Sequence, residues 1–270
     1  MVANLYGNPH SASNSSQLTT RRIEDIRLRL LSLFKADPTE FDVVFVANAT
    51  AGIKLVMEAF RDQEEGYWYG YHRDAHTSLI GVREAATQHR CYTSDAEVDQ
   101  WVDEEEGTPG GRPGLFAYPA QSNMNGRRLP LDWIRRIRTR KQGSVYTLLD
   151  AAALVSTSRL DLSDANVAPD FTVLSLYKIF GFPDLGALII RKDAGSIFNK
   201  RRYFGGGTVE MVVSNLVPSS AFVTRADSTF HLGVFERTVA CKEGYASRKT
   251  GRWHTTHSQH YGSRCRYERT

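Results

Sequence analysis

The sequence predicts an α/β protein whose mainly parallel sheet is covered by helices on both faces. Apolar runs of strand length occur at 42–47, 67–71, 115–118, 145–149, 171–176 and 185–190. They alternate with segments of helical periodicity and are joined by short loops, the pattern of a buried parallel sheet.

In chain order, Thr19 or Thr20 is expected to cap a first helix whose apolar face is Ile23, Ile26, Leu30, Leu33 and Phe34. Strand 42–47 leads into the turn Asn48-Ala49-Thr50-Ala51-Gly52, which opens a helix over 53–60. Strand 67–71 is followed by a helix over 76–88 and another over 96–105. GTPGGRPG at 107–114 reads as a loop. Strand 115–118 and a helix over 131–138 follow, and then the strands ending at Asp150, near Lys178 and at Ile190. From about Ala221 the periodicity fades. Residues 247–270 are rich in Arg, His, Ser and Thr with almost no aliphatic side chains, which favours loop or disorder. The expected organisation is thus a large domain over 1–220 and a non-matching basic tail over 221–270.

At 270 residues, with 41% hydrophobic and 24% charged residues, the composition is that of a soluble protein with a sizeable core. The formal charge of +4 is unevenly placed. Residues 241–270 carry seven Lys/Arg against two Glu, a net of +5, so the other 240 sum to −1. The body therefore lacks a basic surface for nucleic acid. Cys91, Cys241 and Cys265 are too few and too scattered for a disulfide framework and suit reduced thiols. No run approaches the roughly 18 apolar residues of a membrane span, and Met1–Tyr6 lacks signal-peptide layout. The expectation is a cytoplasmic protein without membrane or nucleic-acid partners.

Ligands of open parallel sheets sit at the carboxyl ends of strands, and three groups fall there or at a helix start. Lys178 follows an apolar strand and is flanked by Ile179 and Phe180, so partial burial that lowers its pKa is expected. The competing reading is a lysine reaching into solvent. Asp150 precedes Ala151-Ala152-Ala153, small neighbours that leave room for a planar ring whose nitrogen the carboxylate would keep protonated. Its alternative is a helix cap. Thr50 and Gly52 lie where backbone N–H groups and a helix dipole hold phosphates, or where an ordinary strand–helix turn lies. No Walker motif is present. A lysine 28 residues after an aspartate, each at a strand end, with a phosphate cradle upstream, is what pyridoxal 5′-phosphate (PLP) chemistry requires.

YGNPHS (6–11), NATAGIKLV (48–56), HTSLIGVRE (76–84), YPAQSNMNG (118–126), LLDAAALVSTSRLDLS (148–163), SLYKIFGFPDLGALIIRK (175–192) and RRYFGGGTV (201–209) together closely resemble the N-terminal domain of the molybdenum cofactor sulfurases. That branch belongs to the class V aminotransferase group, beside the cysteine desulfurases, and the resemblance covers about residues 5–215. It implies the type I fold of PLP-dependent transferases, represented by its large domain only. It also implies PLP as cofactor, with Lys178 as the Schiff-base lysine and Asp150 as partner of the ring nitrogen. His76 would stack on the ring and move protons. Ala49, Thr50, Ser175 and Tyr177 would contact the cofactor phosphate, and Asn123 the ring hydroxyl. Thr208 would reach the phosphate of a neighbouring subunit, implying a homodimer. Asn8 and His10 would line the substrate pocket. The implied activity is transfer of sulfur from L-cysteine, leaving L-alanine, to the molybdenum cofactor.

The chain departs from the desulfurase pattern at Ala153, where those enzymes carry Gln, and at Tyr177, where they carry His. The family's first strand and glycine-rich turn, its sulfur-accepting cysteine and its carboxylate-binding arginine have no counterparts here. Cys241 and Cys265 do not match that cysteine. His254, His257 and His260, evenly spaced with Cys265 nearby, do not amount to a metal site. The abrupt change of composition near Ala221 suggests a shifted reading frame or mispredicted exon. Two alternatives stay open: another class V lyase or aminotransferase, and an inactive fragment that at most binds PLP or dimerises.

Overall fold

The computed structural model describes residues 5–9, 11–104, 107–141, 143–203, 209–211, 222–225 and 237–240. It divides the chain into two compact units, residues 1–203 and 204–270. The first contains α1 (Asn14–Leu33), β1 (Phe41–Val46), α2 (Ala49–Arg61), β2 (Trp68–His72), α3 (Thr77–Ile80), β3 (Gln88–Tyr92), α4 (Asp95–Asp103), β4 (Gly114–Pro119), α5 (Asp132–Arg140), β5 (Val145–Asp150), β6 (Phe171–Ser175), α6 (Leu176–Phe180) and β7 (Gly186–Arg191), with short 3₁₀ turns between them. In the second, β8 (Val209–Met211), β9 (Phe222–Arg225) and β10 (Arg237–Ala240) form a small sheet. In it β10 runs parallel to β8 and antiparallel to β9.

The seven strands of the first unit are ordered β1-β7-β6-β5-β4-β2-β3. All neighbours are parallel except β7, which runs antiparallel to both β1 and β6. β1 therefore points the same way as β6. The carboxyl ends of β1, β2, β4, β5 and β6, and the amino end of β7, lie along one edge. The expected α/β architecture is present.

Strand alternation sorts the core into two layers. Tyr67 and Tyr69 donate to the carbonyls of Val82 and Leu79, facing α2 and α3. Phe60 packs with Tyr67, Tyr146 and Phe171 in the same layer. On the other face Trp68, Tyr92, Trp101, Phe116, Tyr118 and Trp133 form a continuous aromatic cluster with α4 and α5.

Several local expectations are corrected. α1 starts a full turn earlier than Thr19, because Ser13 accepts from the Ser16 N–H as its cap. The Thr19 and Thr20 hydroxyls instead donate back to the carbonyls of Ser15 and Ser16, bonds that let them sit inside the helix. Its buried face is Leu30 and Leu31, followed by Phe34, whereas Ile26 and Leu33 are 44% and 53% exposed. The helix expected over 76–88 stops at Ala85, and Gln88–Tyr92 become edge strand β3. Only Tyr92 of that strand is buried, so pairing with β2 rather than apolar periodicity stabilises it. No described helix is long and apolar enough to cross a membrane.

Candidate functional site

β1 ends beside the point where β7 begins, with Val46 opposite Gly186 and Gly186 opposite Ser175. A Cβ at Gly186 would sit 2.7–2.8 Å from the Asn48 backbone, so only glycine lets the chain pass under the start of α2. Asn48 caps α2 by accepting from the Ala51 N–H at 2.9 Å. The Gly52 N–H is already bonded to the Asn48 carbonyl at 3.2 Å, and Gly52 is buried within the helix layer. Gly52 therefore serves packing. The N–H groups of Ala49 and Thr50, in the first turn, are the ones directed ahead of the helix, where its dipole favours an anion. Thr50 is exposed.

Two strands further along, Asp150 ends β5 and is 7% exposed. By alternation it shares the α2–α3 face of the sheet with Tyr146 and with its cross-strand neighbour Val173, and Ser175 follows Val173 on that face. One carboxylate oxygen of Asp150 accepts from the Ala152 N–H at 3.0 Å. The cap reading is thus partly met, as a local turn rather than as a helix cap, since the 3₁₀ turn at Leu154–Ser156 has no side-chain cap. Burial pushes the Asp150 carboxyl above its usual range, opposed first by the Ala152 N–H and then by the charges of His76 and Lys178.

His76 caps α3, accepting from the Ser78 N–H through Nδ1 at 3.2 Å, with Ser78 Oγ also 2.8 Å from Nδ1. A neutral ring with Nδ1 accepting carries its proton on Nε2. Ser175, 8% exposed, ends β6 at the N-cap position of α6 but makes no cap bond there. Lys178 lies one helical turn further and is exposed, which corrects the expectation of partial burial. The apolar neighbours that suggested burial also face water, with Tyr177, Phe180 and Phe182 49–59% exposed. α6 stops after five residues because Gly181, at φ 76°, closes it with an N–H bond to the Tyr177 carbonyl at 2.8 Å.

Asn123 is exposed in the turn after β4, whose Ala120 N–H is bonded to the Asp150 carbonyl at 2.8 Å. Asn8 is exposed on the segment that folds back on α1. His10 and Thr208 lie outside the described residues, as do Cys241, Cys265 and the histidines of the tail. The structure therefore brings Ala49, Thr50, His76, Asn123, Asp150, Ser175, Tyr177 and Lys178 to one edge of one sheet. A separate cavity of about 150 Å³, lined by Trp68, Tyr92, Trp101 and Lys141 among others, lies at the opposite edge, where β2 and β5 begin. None of the residues assigned from sequence line it.

Sequence reasoning passed over Asn48 as a cap, Gly186 as the close-approach glycine, and Arg127 with Asp74. Only the Asn-before-helix signal was available for the first. The others depend on neighbours remote in sequence.

The class-V aminotransferase family model matches residues 1–234. A molybdenum cofactor sulfurase of Aspergillus clavatus is 65% identical over 218 residues, 79% of this chain and 26% of that protein. One from Botryotinia fuckeliana is 66% identical over 220 residues, 79% of this chain and 27% of the relative. The chain thus spans about a quarter of the length of these relatives. Among solved structures, a NifS-like protein from Rickettsia africae superposes with TM-score 0.61 at 18% identity, covering 74% of this chain and 54% of that one. The apo cysteine desulfurase of Thermococcus onnurineus gives 0.60 at 18%, covering 76% and 51%. Both establish the fold, that of NifS-like cysteine desulfurases. With its matched sequence, its relatives and its sheet in agreement, the chain belongs to the class-V aminotransferase family.

Proposed function

We propose that this chain is the PLP-binding domain of a sulfurtransferase that draws sulfur from L-cysteine, leaving L-alanine, for the molybdenum cofactor. The observation that carries the reading is the buried Asp150 carboxylate at the carboxyl end of β5, on the same sheet edge as the start of α2, His76 and Lys178. The sulfurase relatives supply the molybdenum cofactor as acceptor, and the resemblance to that branch implies L-cysteine as the sulfur donor. The residues present fit the cofactor: a buried carboxylate with alanine neighbours, free N–H groups at α2, and an uncapped Ser175 hydroxyl.

Asp150 would hold a proton on the ring nitrogen. The Ala49 and Thr50 N–H groups, with the hydroxyls of Thr50 and Ser175, would bind the phosphate, and Tyr177 can donate to it. Asn123 would meet the ring hydroxyl. Lys178 would carry the cofactor through its amine and, once released, move protons at Nζ; His76, with Nδ1 occupied, would do so at Nε2. When bound, the cofactor supplies the electron sink for the substrate carbanion. Asn8 and His10 are assigned to the substrate pocket and Thr208 to the cofactor phosphate of a partner subunit in a homodimer. A cytoplasmic setting suits the free, exposed Cys91 thiol.

The experiment is incubation of the full chain with PLP, L-cysteine and a dithiol that takes up the sulfur, releasing it as sulfide while the dithiol is oxidised to a disulfide, following the visible spectrum and the products. A yellow band at about 420 nm with release of alanine is expected. Colourless protein that takes up no PLP overturns the reading. A yellow protein that yields no alanine supports a second reading, a cofactor-binding module without turnover, which the exposure of Lys178 favours.

Asp150→Asn separates cofactor chemistry from folding. A carboxyl whose folded pKa lies above its unfolded one costs stability above that folded value, so neutralising it removes a cost at pH 7. The asparagine carbonyl keeps the Ala152 bond. Thermal stability of the cofactor-free protein is expected to hold or rise. PLP affinity should fall about 10–100-fold, as for loss of a charged hydrogen bond of about 1.5–3 kcal/mol. Calorimetry and PLP titration check the pair.

A further inference from the structure

We infer that Arg127 is a positioning residue for the PLP site, clamping the Asn123 turn to the segment that carries His76; this rests on the PLP reading above. The turn over 122–127 is closed by the Ser122 N–H on the Arg127 carbonyl at 2.8 Å and the Gly126 N–H on the Ser122 carbonyl at 3.0 Å. Asn125 Oδ1 accepts from the Arg127 N–H at 2.9 Å. The arginine's own position within this turn is therefore set by backbone bonds, and Asn123 moves with it.

Its guanidinium leaves the turn to bridge two carboxylates. Nε and Nη2 donate to Asp74 Oδ2 at 3.1 and 2.8 Å, and Nη1 donates to Asp95 Oδ1 and Oδ2 at 3.0 and 2.8 Å. Asp74 is 6% exposed and stands two residues before His76. It belongs to the tight turn after β2, where the Ala75 N–H bonds the His72 carbonyl at 3.0 Å and the Asp74 N–H bonds His72 Nδ1 at 3.1 Å. Asp95 opens α4 and lies 3.3 Å from Nε2 of the buried His72. One arginine thus ties together three chain segments, two of which carry side chains assigned to the cofactor.

Arg127 also answers a charge problem. Burial works to raise the Asp74 pKa, and the Arg127 bonds, helped by the charges of His72 and Arg73, more than offset it. Without the guanidinium, two carboxylates would flank His72, whose own pKa burial lowers. Loss of the guanidinium also removes the four hydrogen bonds that fasten the 122–127 turn to Asp74 and Asp95. Forked, two-sided bonding of this kind is specific to arginine.

The test compares Arg127→Ala, Arg127→Lys and Asp74→Asn with Arg136→Ala. The last breaks a different arginine–aspartate bridge, Arg136 with Asp99 and Asp103, between α4 and α5. PLP affinity, visible circular dichroism of the bound cofactor, and hydrogen exchange of cofactor-free protein over 73–76 and 122–127 are measured. Arg127→Ala should weaken PLP about tenfold or more, by analogy with loss of groups that orient ligand side chains. It should alter the dichroism and speed exchange in both segments. Asp74→Asn should do the same, Arg127→Lys should recover part of the affinity, and Arg136→Ala should change none of these readouts. Wild-type PLP affinity and dichroism in both Arg127→Ala and Asp74→Asn, with stability lost as in Arg136→Ala, overturn the clamp alone. A wild-type chain that never takes up PLP overturns the cofactor reading and the clamp's role with it.

Discussion

Lys178→Ala is expected to leave the fold intact and remove the yellow band and alanine formation together. The side chain is exposed, and the charge it exerts on Asp150 is a small opposing influence on a carboxyl governed by burial. Substitution of such a surface residue moves stability by about 0.5 kcal/mol or less. Chemically the loss is double. The amine that would hold the cofactor disappears, and so does a proton carrier, the latter worth roughly 10²–10⁴ in rate. Spectra, alanine release and thermal unfolding of the same preparation check the split. A Lys178→Ala protein that stays yellow and produces alanine at the parental rate would remove Lys178 from the chemistry. Added primary amines give a further arm: partial recovery of rate with methylamine would assign the deficit to the missing amine rather than to disturbed structure.

The second large effect concerns stability. Asp170, 4% exposed at the start of β6, accepts from Arg138 Nη2 at 3.1 Å and from Arg191 Nε and Nη2 at 3.1 and 2.8 Å. It also accepts from the N–H and hydroxyl of Thr147 at 2.8 and 2.9 Å. Two further Arg138 donors hold the carbonyls of Ala165 and Ala168 at 2.6 Å. The cluster joins α5, β5, β6 and β7 at the edge opposite the candidate site. Burial already lowers the pKa of Arg138, with the Asp170 charge as the chief opposing influence. Asp170→Ala would strand a partly buried guanidinium beside a second one. The expected cost is about 3–5 kcal/mol, the range for breaking a buried ion pair from one side. For a unit of this size that lowers the melting temperature by about 6–20 °C. PLP affinity measured below the transition should not change, because the cluster touches no cofactor residue. A Tm within 2 °C of the parent would show that water replaces the carboxylate at little cost, as for an exposed bridge of about 0–1 kcal/mol.

Much of the fold around the candidate site was legible because it is written in local signals. Strand-length apolar runs place Asp150 at the end of β5 and Lys178 just past β6, and the turn read at 48–52 opens a helix that the structure starts at Ala49. What local signals misjudged was exposure. Phe180 and Phe182 read as a buried surround for Lys178, yet they lie at the end of a five-residue helix and just beyond it, exposed at the open edge of the sheet, while Ile179 packs against the core. Periodicity cannot tell an apolar residue packed in a core from one presented at an edge. Edge strand β3 was invisible for the converse reason: its stability comes from hydrogen bonds to β2, which leave no apolar imprint.

The amino-acid order alone determined the alternation of strands and helices, the parallel character of the sheet and the family to which the chain belongs, because those properties arise from contacts near in sequence and from matched motifs. Only the tertiary structure decided which strand runs backwards, that Gly186 must be glycine, and that Arg127 and Asp170 each bind segments far apart. Those outcomes depend on which segments meet, and a charged side chain carries no mark in sequence of the partner it will find across the fold.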